Sequence, residues 1–138
     1  MIVVDTLAVV DALVGRPANS GLVDRLARDG DLHAPHVLDL EVTQVLRRLV
    51  AAGLLSVDRA GDARADYAEL ALVRYPHVPF LDRIWELRAN LTAYDAAFVA
   101  LSEALEVPLI TTDARLAGAP GHRAHVEAYS PTAADPQA

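Results

Sequence analysis

Four acidic side chains stand where solvation alone explains them poorly. Asp5 closes the apolar run MIVVD, and Asp113 follows PLITT. Asp95 heads the apolar stretch DAAFVALSEAL, and Glu41 lies inside APHVLDLEVTQVLRRL. A carboxylate buried without a partner is strongly destabilising. Each acid has a local explanation: Asp113 as a helix cap, Asp95 as a first-turn partner of the helix dipole, Asp5 as a turn residue, Glu41 as a solvated one. Converged, the four would repel one another and raise one another's pKa values. A divalent cation would relieve that repulsion, and hard oxygen ligands suit Mg2+ or Mn2+.

The elements that must position them can be read from the apolar pattern. Residues 2–4 (IVV) form a short β-branched run, expected as a buried strand that ends at Asp5. Helical spacing then covers 6–14, up to Gly15 and Pro17. Ser20 is the expected N-cap of a helix to about residue 29, and DLHAP holds a brief strand. A long helix follows over about 36–52, with Leu38, Val42, Val45 and Leu49 as its inner stripe and Glu41 at the border of that stripe. Ser56 caps a helix to about residue 72, VRYPHVP is an edge strand with a proline, and 80–89 is helical. Thr92 opens the helix that carries Asp95, PLITT is the second buried strand, DARLAG a short helix and AHVEAY a last strand. Strands alternating with helices imply an α/β sandwich around a small parallel sheet. Asp5 and Asp113 each follow a strand, so both fall on the carboxyl edge of that sheet, where such folds gather functional groups.

Composition removes several alternatives. At 138 residues with no cysteine, the chain is one domain's length and has neither a disulfide framework nor a thiolate metal site. All 12 basic residues are arginine, which argues against lysine-dependent phosphate loops and receiver-type phosphoacceptor sites. The net charge of −7 opposes binding nucleic acid by bulk electrostatics, but it leaves room for a cation-bridged local site and for a basic protein partner. No apolar run has the length or flanks of a signal peptide or membrane span, so the expected compartment is the cytoplasm. Residues 1–129 are read as the domain and 130–138, SPTAADPQA, as a disordered tail.

Other groupings carry less. His122, His125 and Glu127 have metal-compatible spacing but lie in a loop entering a strand, with no firm shared face. His33 and His36 read as turn and capping residues, and Trp85 as packing. Asp5-Thr6-Leu7 lacks the second aspartate of a haloacid-dehalogenase-type phosphatase.

The ordered set IVVDTLAVVDAL, LHAPHVLDLEVTQVLRRL, LRANLTAYDAAFVALSEAL and PLITTDARLA resembles the PIN-domain ribonucleases, and most of all the VapC toxins of type II toxin–antitoxin pairs. The resemblance runs over about residues 1–128. It implies a PIN-like three-layer α/β/α sandwich with a small, mainly parallel central sheet. It also implies an endoribonuclease that uses Mg2+, or Mn2+, held by Asp5, Glu41, Asp95 and Asp113. By position Thr111 matches the small hydroxyl residue two before the last acid, and Asn90 the polar residue before the third. Arg115 is a candidate to face the RNA phosphate. Thr6 departs mildly from the serine or alanine that commonly follows the first acid. The family further implies a cognate antitoxin, a toxin homodimer and a toxin–antitoxin hetero-oligomer, with no membrane association. Two rivals are a metal-dependent phosphodiesterase acting on DNA and a catalytically silent PIN-fold module that works by complexing its antitoxin. The presence of all four acids argues against the silent module.

Overall fold

Ile2–Val4 form β1, and all three side chains are fully buried, as expected of a strand covered on both faces. The computed structural model describes residues 1–130, so the tail read at 130–138 lies, apart from Ser130, outside the described residues. After β1 come α1 (Thr6–Val14), α2 (Ser20–Arg28), β2 (Leu32–Pro35), α3 (Val37–Ala51) and α4 (Val57–Glu69). The chain continues through β3 (Leu72–Tyr75), α5 (Leu81–Glu86), α6 (Ala93–Leu105), β4 (Leu109–Thr111), α7 (Ala114–Gly118) and β5 (Val126–Ala128). The sheet order is β3-β2-β1-β4-β5, and every pairing is parallel. With helices packed against the sheet, this is the α/β sandwich around a parallel sheet that the segment pattern implied, in the α/β/α form that the resemblance implied.

The order has a functional consequence. Successive strands run outward from β1 to β3 on one side, and the chain then crosses to β4 on the other. The topological switch point therefore lies between β1 and β4, where a crevice opens beyond the carboxyl ends of the strands. In-register pairing of Val3 with Leu109 and Val4 with Ile110 brings Asp5 opposite Thr111.

Helix α6 explains the apolar run after Asp95. Seven consecutive residues, Ala96–Ser102, are buried, so the helix is enclosed on all sides and packs on β1 and β2. Its first turn, which carries Asp95, is exposed at one end of that buried run. Arg83 of α5 clamps Glu103 of α6 through Nε–Oε1 and Nη2–Oε2 bonds of 2.8 and 2.9 Å.

Several local expectations need correction. Asn19, not Ser20, caps α2: its Oδ1 accepts from the Leu22 amide at 3.2 Å while its Nδ2 donates to the carbonyls of Tyr129 and Ser130. The amide accepts through Oδ1 and has two N–H hydrogens for the two carbonyls, whereas a serine hydroxyl has only one hydrogen to donate. The buried stripe of α3 is Leu38, Val42 and Leu46, with Val45 and Leu49 only half-buried. Helix α4 ends at Glu69 because Leu72–Tyr75 are drawn into the sheet edge beside β2. His33 is a strand residue rather than a turn residue; it is buried, with Nε2 2.9 Å from Asp31 and Nδ1 2.7 Å from the Tyr75 hydroxyl. Trp85 does not pack inward: it is exposed, with the Arg88 guanidinium 4.5 Å from its ring centre.

Candidate active site

The crevice at the switch point is a pocket of about 360 Å3, and Asp5, Glu41, Asp95 and Asp113 all line it. Four segments far apart in sequence supply them: the β1–α1 junction, α3, the first turn of α6 and the β4–α7 junction.

Asp5 is the most enclosed of the four, at 9% exposure. Its Oδ1 caps α1 by accepting from the Ala8 amide at 2.9 Å, and its Oδ2 accepts from the Thr111 hydroxyl. Burial pushes the Asp5 carboxyl up from 3.8 to about 6; the Thr111 and Ala8 hydrogen bonds oppose the rise, and the charges of Asp95 and Asp113 add to it. Glu41 is half-buried and accepts from Thr6 Oγ1 at 2.8 Å. Burial raises its pKa, the Thr6 bond pulls the other way, and Asp95 adds a further push upward. The hydroxyl that seemed a departure in the sequence thus has a role, because it holds Glu41.

Asp95 stands at the open side of the pocket. Its amide donates to Thr92 Oγ1 at 3.1 Å, so Thr92 caps α6 as predicted. Although the residue keeps contact with solvent, enclosure by the pocket walls raises its carboxyl pKa and the Asp113 charge adds to this, while Thr92 and Arg115 counteract it. Asp113 caps α7, and its amide donates to Thr111 Oγ1 at 3.0 Å. Arg115 grips Asp113 through Nε–Oδ1 and Nη2–Oδ2 contacts of 3.1 Å each, which lowers the Asp113 pKa.

Two acids are therefore both helix caps and pocket residues: Asp113 is the cap it was read as, whereas Asp5, read as a turn residue, caps α1. Three of the four acids have a side-chain partner of their own: Thr111 for Asp5, Thr6 for Glu41, Arg115 for Asp113. As they stand, no three His, Asp or Glu side chains among the described residues gather closely enough to hold one ion. The donor set still has the chemistry of a hard-cation site, with oxygens only and three carboxyls pushed upward by burial, to which neighbouring acids add.

The remaining predicted residues divide. Thr111 is fully buried behind Asp5, does not line the pocket, and donates its hydroxyl to the Asp5 carboxylate. Asn90 is exposed but lies away from the pocket, with its side chain near Gly121. Arg115 is turned onto Asp113. His122 bonds the Leu116 carbonyl and the Ala124 amide, and Glu127 pairs with Arg25 at 2.8 Å, so that group forms no ligand set. Sequence reasoning missed three pocket-lining residues: Gln44, Arg48 and Tyr94. Helical spacing from Glu41, at i+3 and i+7, was the available signal for the first two.

Comparisons with known proteins agree with one another. The PIN domain family model matches residues 2–121. Ribonuclease VapC1 of Mycobacterium tuberculosis (strain CDC 1551 / Oshkosh) is 47% identical over 86% of this chain and 90% of its own length. Ribonuclease VapC12 of the same strain is 39% identical over 92% and 98%. Among solved structures, VapBC2 from Rickettsia felis, bound to a DNA fragment from their promoter, superposes with a TM-score of 0.69. It covers 94% of this chain and 100% of that one at 14% identity. M. tuberculosis VapC20, described as a sarcin-ricin loop cleaving toxin, gives 0.64 at 15% identity, covering 89% and 97%. At such identities these two establish the fold alone.

Proposed function

The chain belongs to the PIN-domain family and within it to the VapC-type ribonucleases, and from that premise we propose that it is a metal-dependent endoribonuclease, the toxin of a type II toxin–antitoxin pair. The observation that carries the reading is the meeting of four carboxylates from four segments in one pocket at the β1/β4 switch point. A module that only bound a partner would have no need of that arrangement.

In this reading Asp5 and Asp95 are direct ligands of Mg2+, or of Mn2+, and Glu41 and Asp113 complete the oxygen set around the same ion or a second one. When bound, the ion supplies an activated water for in-line attack on an RNA phosphodiester and stabilises charge on the phosphate and the leaving oxygen. The chain's own contribution is to fix the carboxylates: Thr111 and the α1 amide aim Asp5, Thr6 aims Glu41, and the cap at Thr92 fixes the turn that carries Asp95. The antitoxin is a partner whose cationic side chains would complement this acidic pocket, and the VapBC2 neighbour supports such a pairing. Toxin homodimers and toxin–antitoxin hetero-oligomers acting in the cytoplasm complete the proposal. Among the described residues no helix is long and apolar enough to cross a membrane.

The test is cleavage of a mixed RNA substrate by the purified protein. Cleavage is expected in Mg2+, with loss in chelator and recovery on adding Mn2+. Intact RNA in every condition, with no heat of Mg2+ or Mn2+ binding, would remove the nuclease reading.

Arg115 gives a second expected result. Its guanidinium engages the Asp113 carboxylate that an ion would need. Removing it by Arg115→Ala should tighten Mn2+ binding several-fold in calorimetry, since an exposed pair of this kind is weak and readily displaced. Equal or weaker binding would show that Arg115 does not compete for Asp113.

A further inference from the structure

We propose that Arg48 is a phosphate-holding residue of the substrate site, and that bound RNA leaves the carboxylate pocket along α3. The assignment rests on the ribonuclease reading and adds to it the direction of the strand and the residue that sets it. Glu41, Gln44 and Arg48 succeed one another at i, i+3 and i+7 on α3, so they share one face of the helix. All three line the pocket. Two helical turns separate Glu41 from Arg48, about 10 Å along the axis, which puts Arg48 beyond the reacting phosphate and in range of a neighbouring one.

Charge singles out Arg48. Among the described residues it is the one basic residue lining the pocket, on a chain of net charge −7. Arg25, Arg74, Arg83 and Arg115 are each held by a carboxylate, whereas Arg48 is exposed and forms no ion pair among the described residues. Arg115 also lies at this end of the sheet, but its guanidinium is engaged with Asp113. A polyanion approaching four carboxylates therefore meets one free guanidinium at the rim, and guanidinium is well matched to a phosphodiester through paired N–H donors. Gln44, exposed between Glu41 and Arg48, offers a neutral amide on the same path.

Arg47 supplies the control. It is exposed on the same helix and removes the same charge when replaced, but it does not line the pocket. The experiment is steady-state cleavage of single-stranded RNA in Mg2+ at several salt concentrations, with wild type, Arg48→Ala, Arg48→Lys and Arg47→Ala. Arg48→Ala should raise KM several-fold with kcat within about two-fold, and should flatten the slope of log KM against log salt by about 0.7, the loss of one single-strand phosphate contact. Arg48→Lys should recover part of the KM effect, and Arg47→Ala should leave KM, kcat and slope unchanged. A wild type that cleaves RNA while Arg48→Ala behaves as Arg47→Ala, or loses kcat instead of KM, overturns the assignment and leaves the nuclease reading standing. A wild type that cleaves no RNA removes both.

Discussion

Asp95→Asn should abolish RNA cleavage while leaving the fold intact, and Asp5→Asn should do the same. Loss of a group that merely supports a metal ligand costs roughly 10–100-fold in activity or affinity, so loss of a ligand itself should exceed about 100-fold. The substitutions are close in shape and spare the local structure. Helix α6 is capped by Thr92 and not by the Asp95 carboxylate. Asparagine at position 5 can still accept from the Ala8 amide, because asparagine and aspartate are comparable N-caps. Cleavage assays beside circular dichroism decide the matter. Folded variants that keep more than half of wild-type cleavage would show that these carboxylates do not carry the reaction.

The second expectation runs the other way for one of the same variants: without metal, Asp5→Asn should be more stable than wild type at pH 7.5. Burial holds the Asp5 carboxyl at about 6 in the folded protein, against 3.8 for the ordinary group. Between about pH 4 and pH 6 the folded state therefore binds more protons than the unfolded state, and stability falls as pH rises through that window. Above the window the ionised Asp5 leaves the fold roughly 3 kcal/mol less stable than an unshifted carboxyl would. Glu41 and Asp95, also raised, act in the same direction and remain in the variant. Thermal unfolding in chelator should give Asp5→Asn the higher Tm at pH 7.5, with the gap closing toward pH 4. Added Mg2+ should raise the wild-type Tm and narrow the gap. A variant less stable than wild type at both pH values would mean that the Thr111 and Ala8 bonds outweigh the burial of the charge.

What the sequence allowed to be read followed from local chemistry. IVV and PLITT are apolar and β-branched, so both strands and the acids behind them were legible, as was the cap at Thr92. The parallel sheet then placed Asp5 and Asp113 on one edge without further information. What escaped depended on contacts between distant segments. That Thr6 holds Glu41, 35 residues away, and that Thr111 holds Asp5, 106 residues away, follows from how α1 meets α3 and from the β1–β4 register. Neither is encoded in a local pattern. Asn19 displaced Ser20 as a cap because of carbonyls at the far end of the chain. Arg48 and Gln44 have the right helical spacing, but they lie on the exposed polar face of α3, where the apolar pattern carries no signal.

The double duty of Asp5 and Asp113 bears on how such a protein could change without ceasing to fold. Each follows a strand, caps the next helix and lines the pocket, whereas Glu41 and Asp95 cap nothing. A lineage that lost its enzymatic role would be free to drift at positions 41 and 95. At 5 and 113 it would be confined to the few side chains that still begin a helix, chiefly asparagine, serine, threonine and glycine. Retired descendants of this chain should thus carry a recognisable scar: small polar residues at two of the four positions, and no pattern at the other two.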